Sequence, residues 1–165
     1  MSTFVTVGNA RQPFARMLRA VAAIARDLPR PVFVQSGATP FQAPDCEIEA
    51  FLSITEFERR VAQSDLVITH AGAGSVITAV RAGKVPVVVP RLAGEGEHVD
   101  DHQTEFAREL ARMGRAVAVE DVSNLLAGVR EARTRQAEAL AAELPATMIG
   151  MVADVLRGYA GGSRR

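Results

Sequence analysis

The chain has 165 residues, the size of one domain, and its 48% apolar and 23% charged residues exclude intrinsic disorder and allow a self-sufficient core. Nineteen basic residues offset nineteen acidic ones, so no net charge draws the chain to nucleic acid. A single cysteine, Cys46, excludes an intramolecular disulfide framework and a cysteine-built zinc site.

No run approaches the roughly 18–20 apolar residues of a membrane span, and no basic-then-apolar leader opens the chain, so a soluble cytoplasmic protein is expected. Short apolar runs alternate with helical patterns from end to end, which predicts βα units on a parallel sheet. A strand is expected at residues 4–7. Phe14, Met17, Leu18, Val21, Ile24 and Leu28 then share one 3.6-residue stripe of a helix over 13–27, with Pro13 in its first turn. A strand at 31–35, a loop at 38–46 and a weaker strand at 48–52 follow. The next helix, 55–63, begins with Thr55 as N-cap and Glu58 completing a capping box. Strand 65–69 leads into helix 75–82, ended by Gly83. Strand 86–89 leads through a loop at 91–100 into helix 101–113, ended by Gly114. A last strand covers 116–119; beyond Asp121 the pattern is helical to Arg157, broken near Pro145, and 161–165 reads as a disordered tail. The runs Leu66-Val67-Ile68 and Val87-Val88-Val89 are apolar on consecutive residues, which suits strands covered on both faces. The expected fold is α/β: a doubly wound, mainly parallel, Rossmann-like sheet in one domain over residues 1–160.

In such a sheet, ligands sit at the carboxyl ends of the strands. Three segments land there: Gly8-Asn9-Ala10-Arg11-Gln12, His70-Ala71-Gly72-Ala73-Gly74-Ser75, and the stretch from Arg91 to Gln103. In the second, small residues let the backbone approach a ligand. The amides of Gly74, Ser75 and Val76 are expected to be free at a positive helix end, which suits a phosphate or diphosphate. The third glycine of a dinucleotide fingerprint is missing, as is the Gly-Lys-Ser/Thr of a Walker loop. A glycine turn that serves only packing is the alternative. In the third segment His98 and His102 stand four apart, which raises metal binding; against it, His70 is the sole other histidine and HExxH is absent. Asp100 or Asp101 can cap the helix. Asp101, His102 and Gln103 together mix donors and acceptors as a polyhydroxylated ligand requires.

Taken together, His70-Ala-Gly-Ala-Gly-Ser75, Arg81-Ala-Gly-Lys84, Pro86-Val-Val-Val-Pro-Arg91 and Gly96-Glu-His-Val-Asp-Asp-His-Gln103 resemble the C-terminal domain of family 28 glycosyltransferases. Phe4-Val-Thr-Val-Gly8, Gln12-Pro-Phe14, Arg16 and Asp65-Leu-Val-Ile-Thr-His70 fit the same pattern, so the resemblance spans about residues 3–115 and is nearest to small capsular and exopolysaccharide subunits. It implies the nucleotide-sugar half of a two-domain GT-B enzyme, with the donor diphosphate at residues 72–75 and sugar hydroxyls near 101–103. The substrate-binding residues it implies are Gly8, Asn9, Gly72, Ala73, Gly74, Ser75, Thr78, His98, Asp101, His102 and Gln103. Thr78 stands where full-length relatives have a ribose-contacting glutamate, and the acceptor-binding half is absent from this chain. The resemblance implies that a separate membrane-attached subunit supplies that half.

The reading that follows is the donor-binding catalytic subunit of a split, inverting glycosyltransferase. It transfers a sugar from a UDP-sugar to a polyprenyl-diphosphate-linked saccharide in exopolysaccharide or capsule synthesis. It has no metal or other cofactor, since helix-end amides take the cation's place. It lies at the inner face of the membrane through its partner, with membrane contact only indirect. His70 and His102 are candidate acid–base groups, with a base from the partner as the alternative. The sugar is left open among glucuronate, galactose and N-acetylglucosamine. An apolar stripe at Met148, Met151, Val152, Val155, Leu156 and Tyr159 is expected to dock the partner and to promote self-association of the isolated chain, with packing on the chain's own sheet as the alternative. Two other readings compete. One is a non-catalytic nucleotide- or partner-binding subunit that stabilises or regulates a transferase. The other is a nicotinamide-dependent oxidoreductase, which the missing glycines weaken.

Overall fold

A computed structural model describes residues 1–141. Among them, six strands form one sheet: β1 (Thr3–Thr6), β2 (Val32–Gln35), β3 (Glu47–Glu49), β4 (Leu66–His70), β5 (Val87–Val89) and β6 (Val117–Ala118). The order is β3-β2-β1-β4-β5-β6 and every neighbouring pair is parallel. The expected doubly wound α/β sheet is the fold observed. Five α-helices accompany the sheet among the described residues: α1 (Ala15–Ile24), α2 (Ile54–Gln63), α3 (Ala73–Arg81) and α4 (His102–Arg112) between strands, and α5 (Leu125–Ala141) after β6.

The consecutive apolar runs have a simple cause. Side chains alternate across a strand, so a strand with helices on both faces must be apolar at every step. In β1, Val5 faces one layer, where Val34 and Ile68 meet Met17, Leu18 and Val21 of α1 and Leu125 and Val129 of α5. Its neighbour Phe4 faces the other, against Phe33, Val67, Val61 of α2 and Ala79 of α3. Farther along that layer, Val88 packs with Val76 and Val80 of α3 and Phe106 and Leu110 of α4. Each fully buried aliphatic side chain here contributes roughly 1.5–3 kcal/mol of transfer free energy.

Element boundaries differ from the sequence reading where a tertiary contact competes with a local signal. Pro13 lies outside α1: Phe14 is the cap residue, and its amide donates to Thr39 Oγ1 at 2.8 Å, so a loop twenty-five residues away sets the helix start. The cap of α2 is Ser53, not Thr55; its hydroxyl accepts from the Glu56 amide at 3.2 Å, and Glu58 plays no part in a capping box. Strand β3 begins at Glu47, one residue before the expected range, and stops at Glu49. Helix α3 begins at Ala73, two residues earlier than expected. At the start of α4, Asp100, one of the two expected capping residues, accepts from the His102 amide through Oδ1 at 3.1 Å, while Asp101 spends Oδ1 on the Ala93 amide at 2.9 Å. Gly83 and Gly114 do end α3 and α4, each with positive φ, a conformation glycine adopts without penalty. The apolar stripe from Met148 to Tyr159, the break near Pro145 and the tail at 161–165 lie outside the described residues. No helix among the described residues is long and apolar enough to cross a membrane.

Candidate functional site

The strand order reverses between β1 and β4, and a crevice opens beyond the carboxyl ends of strands at such a point. A cavity of about 380 Å³ lies there, within the range of small-molecule sites. Gly8 and Asn9 reach it from β1, Gln35 from β2, His70 from β4, and Gly72, Ala73, Gly74, Ser75 and Thr78 from the turn into α3. Leu52, Ile54, Phe57 and Glu58 close the opposite wall.

The start of α3 brings free amides to one end of the cavity. Its first residue is Ala73, no side chain caps it, and the Val76 amide already donates to the Gly72 carbonyl at 3.1 Å. The free amides are therefore those of Ala73, Gly74 and Ser75, one residue earlier than the sequence suggests. Three donors at the positive end of a helix dipole suit a phosphate or diphosphate. Thr78, one turn on, gives its hydroxyl proton to the Gly74 carbonyl at 2.9 Å.

A short polar ladder fixes the floor. The Thr6 hydroxyl donates to Gln35 Oε1 at 2.8 Å and accepts from the Gly8 amide at 3.0 Å. Gln35 Nε2 donates to Asn9 Oδ1 at 2.9 Å, which leaves the Asn9 amide nitrogen to donate into the cavity.

His70 is wedged between two glycines. A Cβ built on Gly72 would fall 2.0 Å from His70 Nε2, and one on Gly8 would fall 2.4 Å from His70 Cε1. Burial first, then the nearby charge of Arg91, push the imidazole pKa down to about 3, against the opposing effect of the Thr6 carbonyl. His70 is therefore neutral at physiological pH. Its ring lines the cavity. The unfolded chain, with an ordinary histidine, takes up a proton first as pH falls. The stabilisation is thus complete above about pH 6.5 and drains away toward pH 3, with a slope of at most about 1.4 kcal/mol per pH unit. In chemical denaturation between pH 6.5 and 5, above the carboxylate range, His70→Gln is expected to remove most of the stability slope. An unchanged slope would show the ring to be protonated in the fold.

The third predicted segment does not reach this cavity. Gln103 Oε1 accepts from the Arg91 amide at 3.0 Å, and Asp101 lines a separate depression with Leu92, Glu95 and Arg108. His98 Nδ1 lies 3.1 Å and His102 Nδ1 2.9 Å from the two oxygens of Asp100. That shared carboxylate explains the spacing of the two histidines. The His102 side chain is exposed, and its hydrogen bond to Asp100 raises its pKa. Arg91, near the site in sequence, is buried beneath it and bound to three backbone carbonyls. The sequence reading missed Gln35, Leu52, Ile54, Phe57 and Glu58. The strand-end rule, applied to β2 and β3 as well as β1, points to them: Gln35 ends β2, and residues 52–58 follow β3.

Residues 2–150 match the glycosyltransferase family 28 C-terminal domain. The UDP-N-acetylglucosamine transferase subunit ALG13 of Cryptococcus neoformans var. neoformans serotype D (strain JEC21) is 34% identical over 116 residues, covering 68% of this chain and 56% of that protein. The UDP-N-acetylglucosamine–N-acetylmuramyl-(pentapeptide) pyrophosphoryl-undecaprenol N-acetylglucosamine transferase of Solibacter usitatus (strain Ellin6076) is 35% identical over 92 residues, 56% of this chain and 22% of that one. The chain thus spans from about a fifth to just over half of these relatives. Among solved structures, the glycotransferase of kitacinnamycin shares the fold with a TM-score of 0.66 at 18% identity, over 96% of this chain and 39% of that one. The match over residues 2–150 takes in nearly the whole sequence, and the chain belongs to the glycosyltransferase family 28 C-terminal domain family.

Proposed function

We propose that this chain is the donor-binding subunit of a split, inverting GT-B glycosyltransferase. It takes a UDP-sugar and works with a membrane-attached subunit that holds a polyprenyl-diphosphate-linked saccharide. One observation carries the reading: the cavity at the switch point sets three free amides of the α3 start opposite an apolar wall. The amides suit a diphosphate and the wall of Leu52, Ile54 and Phe57 suits the flat face of a base. The names of the relatives favour N-acetylglucosamine as the sugar, a subunit architecture in one case and a pyrophosphoryl-undecaprenol acceptor in the other. The capsule or exopolysaccharide setting implied by the sequence motifs finds no support in these names, and the proposal is framed without it. With His70 neutral and His102 outside the cavity, the base that activates the acceptor is assigned to the partner.

UDP at a hundredfold excess over Kd is expected to stabilise the chain by about 2.7 kcal/mol, a rise of roughly 5–10 °C in melting midpoint. Gly74→Asp should abolish that rise. Open space surrounds the position, so the carboxylate fits, competes for the helix-end amides and repels the diphosphate. Undiminished UDP binding in Gly74→Asp would overturn the phosphate assignment. Because amides rather than a cation meet the diphosphate, a chelator is expected to leave transfer by the assembled enzyme intact. Complete loss that a divalent metal restores would refute that.

A further inference from the structure

We propose that Glu58 reads the ribose of the bound nucleotide, accepting hydrogen bonds from its 2′ and 3′ hydroxyls; this rests on the donor-site reading above.

Ile54, Phe57, Glu58 and Val61 stand three and four residues apart along α2, and the first three line the cavity. Val61 is buried, and the Phe57 ring meets Phe4 edge-on with centroids 5.5 Å apart. Glu58 is thus an exposed carboxylate at the rim of an otherwise uncharged cavity. The other charges of α2 are engaged: Glu56 bonds both Arg59 and Arg60, and the Arg60 guanidinium also lies 3.6 Å above the Phe33 ring. Glu58 has no hydrogen bond or ion pair among the described residues. With Ser53 capping the helix, it is also free of any capping role.

Among the described residues, Glu58 is the one carboxylate lining the cavity, and with His70 neutral it is the one charge there. A carboxylate accepts hydrogen bonds and repels phosphate. Its counterpart is therefore a hydroxyl or N–H on a part of the ligand away from the diphosphate. Next to the diphosphate in a nucleoside diphosphate comes a ring with two adjacent hydroxyls. Sheets of this order commonly bind a ribose hydroxyl through an acidic side chain. Thr78 offers only a neutral oxygen whose proton is already given to Gly74.

The test is titration calorimetry of the wild-type chain, Glu58→Ala and Glu58→Gln with UDP, with 2′-deoxy-UDP and with UDP-N-acetylglucosamine. Wild type is expected to lose on the order of tenfold in affinity when the 2′ hydroxyl is removed. Glu58→Ala should bind both ligands equally, at the weaker level, and Glu58→Gln should fall between. Glu58 is exposed on a helix, so alanine there leaves the fold intact. A Glu58→Ala chain that still discriminates by tenfold overturns the proposal. So does one that binds UDP normally and loses affinity only for UDP-sugars, which would place the carboxylate on the transferred sugar. If wild type binds neither nucleotide, the donor-site reading itself falls, and the assignment with it.

Discussion

Arg91→Met is expected to destabilise the fold by about 3–5 kcal/mol, a large share of the 5–15 kcal/mol typical of a domain. The side chain is fully buried, and its guanidinium is a junction. One terminal nitrogen donates to the Gln12 carbonyl at 2.8 Å and the Glu97 carbonyl at 3.1 Å; the other donates to Val7 at 2.7 Å. The cation lies 4.7 Å from the Phe14 ring centroid. It thus ties the end of β1, the approach to α1 and the 91–103 loop together. Methionine fills similar space but leaves the buried Val7 and Glu97 carbonyls and the partly buried Gln12 carbonyl without this donor, each buried one costing about 1–3 kcal/mol. Arg91→Lys should recover little, since a single ammonium cannot span three acceptors held by a planar fork. The Glu97 carboxylate keeps its own partners, Arg16 at 2.8 Å and the Leu92 amide at 3.0 Å, so the variant strands no carboxylate. Urea denaturation of both variants measures the cost. A loss below about 1 kcal/mol would mean that water replaces the guanidinium.

Gly72→Ala should weaken the fold and ligand binding together. The backbone there has an ordinary φ, so the obstacle is steric alone. The new methyl would meet His70 Nε2 at 2.0 Å and Cδ2 at 2.7 Å, and the ring already rests against Gly8 on its other side. Either the imidazole leaves its slot or the α3 start swings away; both move the amides that face the ligand. We expect about 1–3 kcal/mol of destabilisation from overpacking and at least a tenfold loss of UDP affinity. Gly74→Ala is the control: nothing lies within 4 Å of the place its methyl would take, and alanine favours a helix. Combining Gly72→Ala with His70→Ala should restore stability by making room. If Gly72→Ala binds UDP like wild type, the wedge of His70 between the glycines does not set the cavity.

How much of the site is legible in the sequence follows from the range of each signal. The glycines at 72 and 74 announce a tight turn at a strand end, and the turn does form one wall of the cavity. The free amides lie one residue earlier than the local pattern suggests, because the helix start depends on where β4 ends against its neighbours. Glu58 reads as half of a capping box because Thr55 stands three residues before it. The real cap, Ser53, is an equally good local signal, and only the path of the chain from β3 chooses between them. His102 and Gln103 carry the right chemistry for a polyhydroxylated ligand, yet their side chains and backbone are engaged with Asp100 and Arg91.

The sequence by itself determined the parallel, doubly covered sheet and the strand-end glycine turn. Both are written in short-range patterns: consecutive apolar runs, helical stripes, and glycine where a chain must bend sharply. It also carried the family, through motifs spread from Phe4 to Gln103. Only the tertiary structure decided which strand ends become neighbours. The order β3-β2-β1-β4 brings Gln35 and the residues from Leu52 to Glu58 against Gly72, although they lie far apart in the chain. It also decided that His70 is neutral and that Arg91 is a strut rather than a ligand group. A protonation state and a hydrogen-bond partner both depend on what has been packed around a side chain, and distant residues do that packing.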